Sequence, residues 1–268
     1  MMRSSQGWIV TDWISSSMKT ENVSRSTVIL VHTLMAVLFL AFMVWVILAQ
    51  RSAFEIGRLE GYGYLLREGF VNTVLVSLGV LLGSMTTGFI VFLLAKSGVL
   101  FLQAFVNIFT EVIYGTPLLV MIIIMAFVIG PAFNVFYRPL TGIIGMIVYF
   151  TPYMSNIFKS AFSSITDEQY MAMDLFGFTS FQKYVYIIIP QVVRILMPPL
   201  MNNFSLIIKG SALLNVLSFR ELFYATNIIQ SRTFAYTEGY IVMWLLYIAI
   251  TIPLSQFVKV FERRWSLQ

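Results

Sequence analysis

Six long apolar runs, at roughly 28–49, 69–95, 105–130, 139–160, 191–216 and 238–258, constrain this chain more than any other feature. Each reaches the length of about 20 residues that a helix needs to cross the hydrocarbon core of a bilayer. No water is available there to satisfy backbone N–H and C=O groups, so helices and closed barrels are the spanning structures available. The runs are continuous rather than alternating, which disfavours barrel strands. The expected fold class is therefore an all-α membrane protein, a polytopic bundle of about six transmembrane helices. Composition agrees, with 59% hydrophobic and 11% charged residues, against about 25% charged in a soluble domain. The first run is longer than a secretory h-region and no small-x-small cleavage site follows it, so it is expected to stay as a helix.

Absent residue types narrow the chemistry. With no cysteine and one histidine, disulfides, thiolate-bound zinc and thiolate-ligated haem are excluded, and no metal site is expected. The formal charge of +5 does not point to nucleic acid once the positions of the charges are followed. With the N-terminus inside, Arg3, Lys19, Arg25, Lys96, Lys159, Lys183, Arg194, Lys259, Arg263 and Arg264 fall on the cytoplasmic side. Arg51, Arg58, Arg67, Arg138, Arg220 and Arg232 fall opposite, and Lys209 lies within a span. The excess sets both termini, and the long stretch 163–190, in the cytoplasm.

The third run contains "EVIYGTPLLVMIIIMAF", residues 111 to 127, and carries its own helix breakers. Pro117 has no N–H, which is expected to free the Ile113 carbonyl, and Gly115 adds flexibility. Freed backbone groups at membrane depth are tolerated against protein or a wet cavity, so Gly115-Thr116-Pro117 is either an ordinary kink or part of a ligand path. The stretch 163–190 is too apolar for a plain connector. Thr166 or Asp167 can cap a helix bearing Tyr170, Met171 and Leu175, Gly177 breaks it, and Thr179 or Ser180 can cap the next. This elbow either packs under its own bundle or docks a partner chain.

Met171-Ala172-Met173, three residues, Gly177, nine residues, then Ile187-x-Ile189-Pro190 resembles the cytoplasmic "EAA" loop of ABC-importer permeases, E-A-A-x3-G-x9-I-x-L-P. "EVIYGTPLLV" is similar to E-x-x-R-G-T-P-L-L-V of the polar amino-acid branch, which includes histidine, glutamine and arginine importers. "PPLMNNFSLIIKGSALLNVLSFREL" is similar to that branch's P-P-L-x-N-x-x-I-x-L-L-K-D-T-S-L-x-x-V-I-x-x-x-E-L. The likeness runs from about Glu68 to Trp265. It implies an ABC type I importer permease fold in a bacterial cytoplasmic (inner) membrane. The implied divisions are a cytoplasmic tail at 1–27, an extra transmembrane helix at 28–49 outside the shared core, and an extracytoplasmic loop at 50–68. A permease core at 69–260 follows, with its coupling loop at 163–190, and a tail at 261–268.

By the same resemblance the chain transports amino acids without being an enzyme, and has no cofactor of its own. It also lacks the G-x-x-x-x-G-K-[ST] phosphate loop that ATP hydrolysis of this class requires. ATP and Mg belong on partner ABC ATPase subunits docked through Met171, Ala172, Met173, Gly177 and Pro190. The other implied partners are a second permease chain, an extracytoplasmic solute-binding protein and membrane lipid. The implied substrate path comprises Gly115, Thr116, Pro117, Tyr153, Asn156, Lys209 and Ser211, with Glu111 as a gate candidate.

Departures from the pattern are concentrated along that path. Met171 replaces the loop glutamate, Tyr114 the arginine before Gly-Thr-Pro, and Gly210 the aspartate after the lysine, while the Y-x-x-E of the fourth span reads Tyr153-Met154-Ser155-Asn156. At 1.5 Å per residue Glu111 lies about 9 Å, and Lys209 about 27 Å, from the inner boundary, so they are not expected to pair. Lys209 either snorkels to the interface or serves as a gate or substrate contact. Gly79-x-x-x-Gly83 permits close helix packing within the chain or between two permeases, and His32 is read as a packing residue or interfacial donor. A secondary transporter or channel would share the spans but has no use for such an elbow. A Ser211/Lys209 hydrolase is disfavoured because residues two apart point to different helix faces.

The orientation has a direct check. Single cysteines introduced at Ser52 and Ser180 should react with an impermeant reagent from outside and only after permeabilisation, respectively; external labelling at 180 in intact cells would reverse the topology.

Overall fold

The computed structural model describes residues 25–49 and 54–266, with side chains within 26–46, 48–49 and 54–256. The expected tail up to residue 24, loop residues 50–53 and the side chains of Arg263-Arg264-Trp265 lie outside these. The chain divides into two units near residue 55. The first contains α1, Arg25–Leu48, which is apolar throughout with mean hydropathy 2.5 over Ser26–Val46. Its polar side chains are turned onto their own helix: His32 Nδ1 lies 2.8 Å from the Val28 carbonyl and Thr33 donates to Ile29 at 2.9 Å. Each donor is thus satisfied one turn back, where lipid offers no partner.

The second unit begins with a short 3-10 turn at Ile56–Leu59 and contains α2 (Gly63–Lys96), α3 (Leu100–Tyr114), α4 (Leu118–Ile124), α5 (Arg138–Phe162), α6 (Asp167–Leu175), α7 (Ile189–Ser211), α8 (Leu222–Thr233) and α9 (Tyr236–Ser266). Helix α4 continues through a π-helical turn, Met125–Ile129, into Gly130–Ala132. Helix α7 is entered through Ser180–Gln182 and a π-helical stretch, Lys183–Ile188, and leaves through a 3-10 turn, Ala212–Leu217. Among the described residues, five helices are long and apolar enough to cross a membrane, and the third expected span is a bent pair.

The bend is far larger than a proline kink: α3 and Leu118–Ala132 meet at 109°. Pro117 does not interrupt a helix but caps the start of α4, with an extended backbone at ψ 142°. The expectation of a freed Ile113 carbonyl is corrected, because that carbonyl accepts the Thr116 N–H at 3.1 Å. The Glu111 carbonyl accepts the Gly115 N–H at 3.0 Å, and the Thr116 hydroxyl donates to Val112 at 2.7 Å. A helix end whose Glu111, Val112 and Ile113 carbonyls are satisfied, followed by a new helix start at Pro117, replaces one broken span.

The core is built on α2 crossing α5. Val76, Val80 and Leu81 meet Met146, Phe150 and Met154, with Val192, Leu196, Leu200 and Ile207 of α7 closing the third side. Thr87 and Thr151 join their hydroxyls at 2.6 Å across the α2–α5 seam. Closest approach is at Gly88, where an added Cβ would lie 2.5 Å from Met154 Cβ and 2.9 Å from the Thr151 carbonyl. Of the Gly79-x-x-x-Gly83 pair, Gly83 faces Ile147 of the same chain, whereas Gly79 meets nothing within 4 Å. Close helix packing in a membrane relies on van der Waals contact rather than hydrophobic transfer, so a single small residue sets the crossing.

Gly88→Val should therefore destabilise the bundle at or above the upper end of about 1–3 kcal/mol typical of overpacking, while Gly79→Ala should be neutral. Thermal unfolding of the detergent-solubilised chain distinguishes the two, and equal midpoints would remove Gly88 from this role.

Candidate functional site

Two regions carry the residues singled out by sequence. The first is the elbow between α5 and α7. Thr166 caps α6 by accepting the Gln169 N–H, and Thr179 with Gln182 forms a reciprocal capping box at the next helix start. Between them the chain reverses at Gly177, whose φ of +70° suits a residue without Cβ, and the Phe178 N–H closes on the Met173 carbonyl at 3.1 Å. An ion pair between Lys183 and Asp174 ties α6 to the entry of α7. Of the residues assigned to docking, Met171, Ala172, Gly177 and Pro190 are exposed. Met173 is corrected: it is 4% exposed and packs with Ala161, Ile165 and Ile188, so it anchors the elbow instead of facing a partner. Leu175 and Phe176, which the spacing motif does not include, protrude furthest, at 89% and 81% exposure.

The second region is the face around the α3–α4 bend. Asn156 on α5 donates its Nδ2–H to the Tyr114 hydroxyl oxygen at the end of α3. The Tyr114 ring meets Tyr153 edge-on at 4.9 Å, and Tyr153 lies 5.5 Å from Tyr149 with its hydroxyl donating across 3.4 Å. Gly210, at the end of α7, packs on Leu118, the first residue of α4. Glu111, Tyr114, Gly115, Pro117, Asn156 and Lys209 are all exposed, and Thr116 and Tyr153 are half-buried. Ser211 is corrected as a path residue: it is fully buried and donates to the Ile208 carbonyl at 2.8 Å. Its separation from exposed Lys209 removes the basis for a serine–lysine hydrolase. Lys209 and Glu111 form no ion pair with each other, as their depths require.

A third cluster surrounds Glu221, which closes the third quoted motif but was not singled out as a site. Glu221 precedes α8, between the spans that end at Leu217 and begin at Tyr236, and is fully buried. Its carboxylate accepts the Phe223 and Tyr224 N–H groups at 2.7 Å each, and the Tyr247 hydroxyl of α9 at 2.9 Å. Alongside it Thr73 of α2 accepts the Leu222 N–H at 3.0 Å, and Asn72 donates to the Arg220 carbonyl at 2.8 Å. Burial raises the Glu221 carboxyl to about 7, against the opposing pull of its three donors. One carboxylate thereby fastens the α7–α8 junction to α9, while α2 holds the adjoining backbone. The available signal was an acidic N-cap before a short amphipathic stretch. It was hidden because 217–237 reads as a loop between spans.

This fold, an apolar helical bundle with a capped apolar elbow at one end and a polar face at the α3–α4 bend, is that of a polytopic membrane protein. Residues 79–267 match the family described as the binding-protein-dependent transport system inner membrane component, and the chain belongs to that family. Among relatives, the probable glutamine ABC transporter permease protein GlnM of Bacillus subtilis is 29% identical over 74% of this chain and 91% of its own length. The L-cystine transport system permease protein TcyB of the same organism is 31% identical over 59% of this chain and 68% of its own. A solved amino acid ABC transporter crystallised with histidines superposes with a TM-score of 0.72 at 26% identity, covering 80% of this chain and all of that one. The permease of an inward-facing MetNI methionine transporter shares the fold, with a TM-score of 0.56 at 14% identity.

The buried carboxylate makes stability depend on pH. The folded chain holds this proton more tightly than an unfolded chain, whose glutamates titrate near 4.5. Its contribution is complete below about 4.5 and lost as pH rises through about 7. The thermal midpoint should fall between pH 5 and 8, and Glu221→Gln should flatten that slope while lowering stability at acid pH by about 1 kcal/mol for the weakened cap. An unchanged slope would contradict the assignment.

Proposed function

We propose that this chain is the membrane permease subunit of an ATP-driven importer for amino acids, spanning the membrane several times with both termini in the cytoplasm. The observation that carries the reading is the elbow. Leu175, Phe176 and Phe181 are 70% exposed or more on a turn held rigid by two caps, an ion pair and the buried Met173. Apolar side chains at the end of a span face water unless a partner covers them. A nucleotide-hydrolysing subunit is the partner that the family relationship supports, and ATP with Mg binds there rather than here. The elbow leads through the π-helical stretch and Pro190 directly into α7, so motion of the docked subunit is transmitted to a spanning helix.

The polar face supports a path for solute. A charged group left against lipid at the bilayer centre costs at least about 2.5 kcal/mol. Glu111 and Lys209, exposed with Tyr114 and Asn156 between spans, therefore belong against a second permease chain or the water-filled route between the two. Gly115, Thr116 and Pro117 line that route beside Tyr153, and an extracytoplasmic binding protein delivers the solute. Where the bundle is furthest from the elbow, a cleft of about 300 Å³ lies between Tyr64, Glu68, Arg220 and Arg232, a surface suited to such delivery.

Co-expression with the neighbouring transport genes tests the assignment. The wild-type chain should co-purify with an ATPase whose turnover rises with an amino acid. Ala172→Glu should weaken that association about tenfold or more, the effect of one central interface residue, while leaving membrane insertion intact. Normal co-purification and normal transport in Ala172→Glu and Phe176→Asp together would refute docking through the elbow.

A further inference from the structure

Two clefts adjoin at the start of α2, and Tyr64 and Glu68 line both. One, of about 590 Å³, also takes in Arg67, Val71 and Asn72. The other, of about 300 Å³, takes in Arg220, just before α8, and Arg232, in the last turn of α8. We propose that the two clefts hold the phosphate headgroup of one anionic phospholipid whose acyl chains lie along α2.

The charges call for an anion. Three arginines meet one acid among the lining residues, Glu68, which leaves an excess of two positive charges. Arg220 reaches Glu68 only at 3.6 Å, with both side chains open to solvent, so little is lost by turning it to another partner. All six basic residues expected on this side of the membrane are arginines and none is lysine. A guanidinium presents a planar fork of N–H groups that matches two oxygens of a phosphate. Arg220 is also held in place for this: its carbonyl accepts the Asn72 Nδ2–H at 2.8 Å, and Thr73 accepts the Leu222 N–H, which fixes this backbone to α2. A zwitterionic headgroup adds a cation that brings no gain beside three guanidiniums.

The surface below the charges selects a lipid over a free phosphate compound or an acidic protein loop. Tyr64, Glu68, Val71, Leu75, Leu78 and Leu82 follow one another in alternating steps of four and three residues, which sets them on one stripe of α2. All six are exposed. Val76, Val80 and Leu81, on the other side of the helix, belong to the core, so the stripe is turned away from the rest of this unit. From Val71 to Leu82 it runs about 16 Å at 1.5 Å per residue, roughly half of the hydrocarbon core. That is the depth of one leaflet, and the charges stand at its polar end with Tyr64 at the boundary. Such a lipid depends on α2 spanning the bilayer and not on which solute is carried. The mouth of the smaller cleft remains open to the binding protein.

Native mass spectrometry of the full chain in detergent micelles, titrated with phosphatidylglycerol or phosphatidylcholine of the same acyl chains, tests this. One phosphatidylglycerol should be retained about tenfold more strongly than phosphatidylcholine. Arg67→Gln, Arg220→Gln and Arg232→Gln should each cut that retention about fivefold, the range for one basic side chain at an anionic lipid surface. Arg138→Gln should leave it unchanged, because that guanidinium lies outside the clefts, over the Phe127 ring at 4.6 Å. Leu75→Gln, on the stripe below the charges, should weaken both lipids alike. Glycerophosphoglycerol, the same headgroup without chains, should not displace the lipid at equal concentration. Equal retention of the two lipids, an equal loss in Arg138→Gln, or displacement by the chainless headgroup would overturn the proposal. So would cleft variants that hold lipid as the wild type does but lose stimulation of the partner ATPase by the binding protein, since the arginines would then serve a protein.

Discussion

The need to satisfy every backbone polar group inside a lipid bilayer governs this structure more than any single contact. It is met in an unexpected place. At Gly115-Thr116-Pro117 the chain does not leave carbonyls open along a kinked helix. It ends α3, satisfies the Glu111, Val112 and Ile113 carbonyls with Gly115 and Thr116, and starts α4 on a proline that has no N–H to lose. The two helices meet there at 109°. Just before the bend, Tyr114 accepts a hydrogen bond from Asn156 on α5.

The same constraint explains the junction before α8. Helix α7 runs out through a 3-10 turn, and the left-handed Ser218 redirects the chain into Glu221. Three new helix N–H groups there would be orphaned in a buried position. Glu221 takes two of them and Thr73 takes the third, while Tyr247 occupies a carboxylate oxygen from α9. A buried acid is costly, but here each donor it meets would otherwise lack a partner. The α2–α5 seam needs no such device. Gly88 and the Thr87–Thr151 bond allow backbones to approach until dispersion holds them.

Rigidity and mobility are then distributed in a way that suits a coupled transporter. The elbow is over-determined by caps, an ion pair and Met173, whereas the segment linking it to α7 is π-helical. The first irregular helical turn after the elbow is Lys183–Ile188, next to Pro190. A second π-helical turn, Met125–Ile129, lies in the arm beyond the bend. Both irregular turns adjoin the helices that carry the polar face.

Sequence by itself determined the membrane class, because apolar runs of spanning length leave few alternatives, and it determined the elbow, because capping residues and a glycine act locally within a few positions. It also located Lys209 and Ser211 on different faces, since helix periodicity is local. Tertiary structure alone decided what depended on distant partners. Met173 and Met171 are the same residue type two positions apart, yet only packing against Ile165 and Ile188 buries the former. The Ile113 carbonyl was expected to be free because a proline was read as a kink within a helix, when it begins a new one. Glu221 was legible as the glutamate of the third motif, but its role was not, because Thr73 and Tyr247, which complete the cluster, lie on other helices. Tyr114 and Asn156 looked like two separate losses of charge, and are one hydrogen-bonded pair because α3 and α5, 42 residues apart in the chain, meet there.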